Sequence, residues 1–213
     1  MACNDVPQRK NRDGQYLSPS SNRRCIMTFL TASALILLSA LPLAAQTPAP
    51  PSRPAQIILI RHADKPTDPG DPHLSRAGVK RAEKLAPFVM TDPAMIKFGL
   101  PVAVFATHTT RDANGQRTQE TVAPLAKALT LPVLAPYLGK DYAELATSIL
   151  ANPRYASKTI LICWNHEEIP QLAAALGVTP QPPKWKSNVF DQVYVITYRN
   201  GRAVLAVSRY GAK

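Results

Sequence analysis

The stretch Gln56-Ile-Ile-Leu-Ile-Arg-His-Ala-Asp-Lys-Pro66 joins a continuous apolar run to an Arg-His pair. Apolar residues without polar alternation are typical of a strand buried on both faces, as in the parallel sheets of α/β proteins. Arg61 and His62 then follow the carboxyl end of the strand, the edge at which open α/β sheets bind ligands. A neutral His can attack phosphorus through a ring-nitrogen lone pair, and a guanidinium can bind phosphoryl oxygens as a fork. The pair therefore predicts phosphoryl chemistry, provided that other segments contribute to the same site.

Two later segments supply such residues. Residues 102–105 form a second apolar run, and Arg117 follows it at the predicted start of a helix, where main-chain N–H groups favour an anion. Residues 159–164 form a third apolar run, and His166 stands just after it. Two histidines at strand ends and one arginine at a helix start can converge on a single phosphoryl group.

The order of elements predicts an α/β fold, a three-layer α/β/α sandwich whose sheet is mostly parallel with an antiparallel C-terminal hairpin. Ser75 is placed to cap a helix whose apolar face is Val79, Ala82, Leu85, Ala86 and Val89, with Lys80, Arg81 and Lys84 in solvent. Later strands are predicted at 101–106, near 133, at 159–164, at 193–199 and at 202–208, and later helices at 117–129, 141–150 and 167–176. Asn200-Gly201 predicts the hairpin turn.

Four segments resemble the motifs of the histidine phosphatase superfamily, which has the phosphoglycerate mutase-like fold. They are Leu59-Ile-Arg-His-Ala-Asp-Lys-Pro66, Leu74-Ser-Arg-Ala-Gly-Val-Lys-Arg-Ala82, Arg117-Thr-Gln-Glu-Thr121 with Ala123-Pro-Leu-Ala126, and Ile160-Leu-Ile-Cys-Trp-Asn-His166. The resemblance implies that His62 is the nucleophile and forms a phosphohistidine. It also implies that Arg61, Arg117 and His166 bind the phosphate.

The loop at 107–116 is longer than the family's usual turn, which makes Arg111 a rival of Arg117 for the phosphate. Arg117 is preferred because it precedes Thr121 by four residues, the spacing of the family. Glu167 is the leading candidate for the proton donor, since an Asp directly follows the second His in the acid-phosphatase branch. Asp141, where other branches carry an acidic donor, is the second candidate, and the absence of a dedicated acid is the third.

Two further residues are candidates for substrate contacts because each follows a strand. Lys65 is expected to line the mouth of the site, and His108 follows the second strand. No metal is predicted, because Cys163-x-x-His166 is only half of a metal site. No cofactor is predicted either, and the sequence contains neither a P-loop nor a Gly-x-Ser-x-Gly elbow.

The composition of residues 1–45 is typical of an N-terminal leader. Residues 26–45 are almost wholly apolar, follow Arg23-Arg24 and end in small residues, and the Pro-rich residues 46–55 resemble a linker. We therefore expect residues 1–45 to be a signal peptide that directs export to the periplasm or medium. An uncleaved membrane anchor is the alternative, because the apolar run reaches the length needed to cross a bilayer. The catalytic domain is then 56–213.

The charge of the chain favours an anionic substrate. The formal net charge is +11, and removal of residues 1–45 leaves +8. No dense basic run with interleaved aromatic residues occurs, so a nucleic acid partner is disfavoured and a small phosphorylated molecule is favoured. Cys163 is the only cysteine after the leader, which excludes an internal disulfide in the exported form.

Three classes of function remain open from the sequence. The first is an exported phosphatase that hydrolyses phosphomonoesters through a phosphohistidine on His62. The second is a mutase of the phosphoglycerate type. The third is a catalytically silent module that binds phosphorylated or other anionic ligands.

Overall fold

The computed structural model describes residues 53–111 and 115–210. The predicted leader and all of the linker except residues 53–55 lie outside the described residues. The helices are α1 (Arg76–Thr91), α2 (Gln116–Ala128), α3 (Tyr142–Ala151) and α4 (Ile169–Ala175), and a 3₁₀ turn covers Pro153–Tyr155. The strands are β1 (Gln56–Arg61), β2 (Pro101–Phe105), β3 (Val133–Leu134), β4 (Thr159–Trp164), β5 (Gln192–Arg199) and β6 (Arg202–Arg209).

The strands form one six-stranded sheet in the order β3-β2-β4-β1-β5-β6. The pairs β1–β4, β4–β2 and β2–β3 are parallel, whereas β5 pairs antiparallel with both β1 and β6. The order puts β4 between β1 and β2, so the carboxyl ends of the three strands predicted to carry site residues are adjacent. The predicted sandwich with a mostly parallel sheet and an antiparallel hairpin is confirmed.

Alternate residues of β1 enter different layers of the core, as the pleat of a strand requires. Ile57 and Leu59 pack with the α3 and α4 side, which includes Leu145 and Leu172. Ile58 and Ile60 pack with the α1 and α2 side, which includes Leu85, Val89, Val122 and Leu125. All four β1 side chains are fully buried, which explains why the strand has no polar alternation.

Three local predictions are wrong. Val79 is 48 % exposed, and its neighbour Gly78 faces the core instead, because the chain after β1 crosses the start of α1 and leaves no room there for a side chain. Arg81 is paired with Asp64 rather than merely solvated. Helix α4 begins at Ile169 and not at 167, with Pro170 in its first turn, where a missing N–H costs nothing.

The C-terminal hairpin follows its predicted turn chemistry. Asn200 and Gly201 have φ of 49° and 77°, the positive values that a two-residue type I′ turn needs.

No helix of residues 53–111 and 115–210 has both the length and the apolar composition required to cross a membrane.

Candidate active site

A cavity of about 340 Å³ opens at the carboxyl end of the parallel strands. It is lined by the Arg61-His62 pair at the end of β1, the start of α2, the turn after β4 and part of the loop before α1. The lining residues are Arg61, His62, Lys65, Pro69, Gly70, Pro72, Gly115, Arg117, Thr118, Asn165, His166 and Glu167. Six of the predicted site residues therefore line one cavity: Arg61, His62, Lys65, Arg117, His166 and Glu167.

His62 lies on this cavity in a tautomer suited to nucleophilic attack. Its side chain is buried, and Nδ1 lies 2.7 Å from the carbonyl oxygen of Ala63. A carbonyl accepts but does not donate, so Nδ1 carries the proton and Nε2 keeps its lone pair. Burial, with smaller contributions from Arg61 and Arg117, lowers the pKa of His62 from 6.5 to about 4. The ring is therefore neutral at physiological pH.

The lowered pKa gives a direct spectroscopic prediction. The sequence has four histidines, and the ring signals of His62 in an NMR titration should stay constant from about pH 8 to about pH 5, then move as protonation begins. His73 should titrate above its ordinary value, because its hydrogen bond to Glu120 raises its pKa. The free energy of unfolding should fall as the pH drops from 6.5 towards 4, since only the unfolded chain then binds a proton at His62.

The His62→Asn variant assigns the resonance for this titration. A His62 midpoint near 6.5 in the folded protein would contradict the buried, neutral ring.

The chain after His62 is held by helices α1 and α2. The N–H of Ala63 donates to Thr121 Oγ1 at 2.8 Å, and that hydroxyl donates to the carbonyl of Arg117 at 2.7 Å. Thr121 is fully buried, so it joins the nucleophile's backbone to the helix that carries Arg117. On the other side, the carbonyl of Asp64 accepts from Ser75, and a Cβ on Gly78 would lie 2.2 Å from that carbonyl oxygen. Only glycine allows so close an approach.

Arg61 lies buried beside the nucleophile and is held by a distant segment. Its Nη1 donates to the carbonyls of Ser187 at 2.6 Å and Val189 at 3.2 Å. Its guanidinium carbon lies 4.0 Å from the ring centre of Phe190, a cation–π contact. The buried Nε of Arg61 has no hydrogen-bond partner among the described residues.

Burial lowers the pKa of Arg61 to about 10, which still keeps the guanidinium charged at neutral pH. Sequence reasoning missed residues 187–190 as a support for Arg61. No local pattern marks them, since they precede β5 and the two carbonyls lie 126 and 128 residues from Arg61 in sequence.

Arg117 lies on the cavity and also fixes its rim. Its Nε donates to the carbonyl of His73 at 3.1 Å, and its Nη2 donates to the carbonyl of Asp71. These bonds hold the loop whose residues Pro69, Gly70 and Pro72 line the cavity. The loop is held again by Glu120, which accepts from the N–H of Leu74 at 2.9 Å and pairs with the His73 ring. The dipeptides Pro69-Gly70 and Asp71-Pro72 in this loop are typical of turns.

Arg111 is exposed and does not line the cavity, in contrast to Arg117. The placement agrees with the preference for Arg117 that the spacing to Thr121 suggested. The function of either arginine stays a prediction.

The turn after β4 contributes Asn165, His166 and Glu167. His166 is half-buried, and burial together with the nearby charge of Arg61 lowers its pKa. Glu167 is exposed and forms part of the cavity wall. Because α4 begins only at Ile169, Glu167 precedes the helix and is not a residue of its first turn.

Two predicted residues lie outside this cavity. Asp141 accepts a hydrogen bond from the N–H of Leu138 at 3.0 Å at the start of α3, and it does not line the cavity. His108 lines a neighbouring cavity instead. The structure therefore gives Glu167, and not Asp141, direct access to a ligand in the site.

Positive charge dominates the site. Arg61, Lys65 and Arg117 line the cavity, and Glu167 is the one carboxylate among its lining residues. Within residues 53–111 and 115–210, no group of three or more His, Cys, Asp or Glu side chains could hold a metal ion. Cys163 is fully buried in β4, and burial raises the pKa of its thiol. The arrangement suits a phosphoryl dianion next to a neutral imidazole.

Comparison with known proteins identifies the fold. No family model matches the sequence, and no curated protein matches it. A crystal structure from Escherichia coli K-12, described as an alpha-ribazole-5'-P phosphatase, aligns with a TM-score of 0.53 and 14% identity over 74% of this chain and 97% of its own. A mycobacterial glucosyl-3-phosphoglycerate phosphatase, solved with inorganic phosphate, aligns with a TM-score of 0.50 and 14% identity over 73% of this chain and 97% of its own.

Both neighbours belong to the histidine phosphatase superfamily. At these identities the similarity shows the fold, which is phosphoglycerate mutase-like.

Proposed function

We propose that this chain, which has the fold of the histidine phosphatases, hydrolyses phosphomonoesters through a phosphohistidine on His62. The observation that carries the proposal is the state of His62. Its Nδ1 proton is bound by the Ala63 carbonyl, and the ring lines a cavity together with Arg61, Arg117 and His166. A neutral imidazole among fixed cations is the arrangement that attack on a phosphoryl dianion needs.

The reaction has two steps. The Nε2 lone pair of His62 forms a bond to phosphorus while the bond from phosphorus to the ester oxygen breaks, and the departing oxygen takes a proton. The phosphorylated ring is then cationic, and its Nδ1 keeps its proton and still donates to the Ala63 carbonyl. Water next attacks phosphorus, which releases inorganic phosphate and restores the neutral ring. Arg61 and Arg117 stabilise the charge on the phosphoryl oxygens in both steps.

A phosphate-release assay over a panel of phosphomonoesters tests this function. Release of phosphate from several esters, with an acid-labile and alkali-stable phosphate on the protein during turnover, is the expected result. Isomerisation of a phosphorylated hydroxy acid that depends on bisphosphoglycerate would instead indicate a mutase. Binding of phosphate esters without release would indicate a silent binding module.

Export is part of the proposal. It is supported by the apolar residues 26–45, the small residues at 43–45 and the Pro-rich segment that follows. Fractionation of cells that produce the full chain tests it. The expected product is a shortened protein outside the cytoplasm, whereas a full-length protein in the membrane fraction would indicate an anchor.

Glu167 is proposed as the proton donor to the leaving oxygen. Glu167→Gln should slow hydrolysis of an alkyl phosphate by roughly a hundredfold, and should slow nitrophenyl phosphate far less, because a nitrophenolate leaves without a proton. Asp141→Asn is the matched control and should affect both substrates little, since Asp141 lies off the cavity. An equal loss on both substrates in Glu167→Gln would show that Glu167 positions the turn after β4 and does not donate the proton.

A further inference from the structure

A second cavity adjoins the cavity that contains His62. It measures about 270 Å³ and lies beside the end of β2, the loop before α3 and the start of α4. Its lining residues are Thr107, His108, Thr110, Gly115, Leu138, Gly139, Lys140, Asn165 and Glu168. Gly115 and Asn165 also line the first cavity, so the two cavities share a wall. The alcohol of an ester whose phosphoryl group lies beside His62 would reach the second cavity past these two residues.

We infer that this second cavity binds the alcohol part of the substrate, and that it selects an uncharged alcohol with hydroxyl groups. The inference rests on the proposed function and names the substrate class for it.

The cavity offers hydrogen-bond acceptors that lack partners. Glu168 Oε2 and Thr110 Oγ1 are both buried and have no hydrogen-bond partner among the described residues. Buried polar atoms are normally paired, so unpaired atoms that line a cavity point to a ligand that supplies the missing donors. His108 adds a third acceptor. Its Nδ1 lies 3.1 Å from the carbonyl of Ala135 and therefore carries the proton, which leaves a lone pair on Nε2.

The cavity carries one cation and one anion, Lys140 and Glu168. An alcohol with a carboxylate is attracted by Lys140 and repelled by Glu168, and an ammonium group meets the reverse, so neither charge gains a net preference. Neither Lys140 nor His108 forms an ion pair with Glu168 within the described part of the chain. A hydroxyl group donates to the free acceptors without either repulsion.

The Asn165 and Glu168 side chains both lie against Gly139. A Cβ on Gly139 would lie 2.5 Å from Asn165 Nδ2 and 4.0 Å from Glu168 Cδ. Burial and the charge of Glu167 raise the pKa of Glu168. Its Oε2 has no hydrogen-bond partner among the described residues.

Two esters of the same carbon number test the inference. Glycerol 3-phosphate carries two hydroxyl groups that propyl phosphate lacks. The wild-type protein should show a kcat/KM for glycerol 3-phosphate at least roughly tenfold above that for propyl phosphate, since each satisfied buried acceptor contributes on this scale. Glu168→Met keeps the length of the side chain and removes its acceptors, so it should bring the ratio close to one while propyl phosphate hydrolysis persists.

Glu83→Met is the matched control, because Glu83 is exposed on α1 and lies outside both cavities. It should keep the wild-type ratio. Glu168→Gln provides a second variant in case Glu168→Met fails to fold, and it should also lower the ratio. The comparison of the two esters on the wild-type protein alone needs no variant, and equal kcat/KM values there would overturn the inference.

The outcomes separate this inference from the proposed function. No turnover of either ester and no phosphoenzyme would contradict the phosphatase itself. Turnover with equal rates on both esters would contradict only the subsite. A preference for 3-phosphoglycerate over glycerol 3-phosphate would also overturn it, because it would show that a cation such as Lys140 selects a charged alcohol.

Discussion

His62→Ala should reduce the hydrolysis of nitrophenyl phosphate by at least about a thousandfold, because covalent transfer has no route without the ring nitrogen. The loss should appear in kcat, since Arg61 and Arg117, the proposed ligands of the phosphoryl group, remain. Nitrophenolate leaves without a proton, so this substrate needs no proton donor. The assay therefore reports on the nucleophile alone. Incubation with radiolabelled substrate followed by rapid denaturation should leave acid-labile phosphate on the wild-type protein and none on the variant.

His73→Ala is the control for this result. It removes another imidazole, but one that is exposed and does not line the cavity. It should retain most of the activity, because the main-chain bonds of the rim to Arg117 and Glu120 do not need the His73 ring. Circular dichroism and thermal unfolding should show both variants folded, because the buried contacts of β1 do not depend on the His62 ring. Activity within tenfold of wild type in a folded His62→Ala protein would contradict the phosphohistidine mechanism.

Arg117→Lys should lower kcat/KM by roughly a hundredfold although the charge is kept, because an ammonium group lacks the planar fork. The structure gives a second reason for a large effect. The Nε of Arg117 donates to the carbonyl of His73 and its Nη2 donates to the carbonyl of Asp71, and these two bonds hold the rim of the cavity. A lysine cannot bind two carbonyls and the phosphate in this geometry. Inhibition by inorganic phosphate should weaken in parallel.

Arg111→Lys is the matched control, made by the same chemical change on the same loop-helix segment. Arg111 is exposed and lies off the cavity, so kcat/KM and phosphate inhibition should change little. A larger loss in Arg111→Lys than in Arg117→Lys would reassign the phosphate-binding arginine.

Much of the fold was predictable because its signals are local. The buried strands β1 and β4 stand out as apolar runs, and the hairpin stands out by Asn200-Gly201. The errors occurred where a neighbour in space overrides a local pattern. Val79 fits the apolar periodicity of α1, yet the backbone of Asp64 lies against that helix at Gly78 and turns Val79 to solvent. Arg81 fits a solvated face, yet Asp64 approaches it.

The sequence by itself determined which residues follow the parallel strands and therefore which ones can meet at one edge of the sheet. Arg61, His62 and His166 are in that group because strand ends are set by local hydrophobicity, and parallel strands end on the same side.

Only the tertiary structure decided how these residues are held and what surrounds them. Residues 187–190 bind Arg61, residues 71–73 bind Arg117, and Glu168 lines a cavity beside the site. These contacts join segments far apart in the chain, and they exist only after the layers pack. Hydrophobic periodicity records which face of an element is buried, but it carries no information on which distant backbone carbonyl will lie against a given guanidinium.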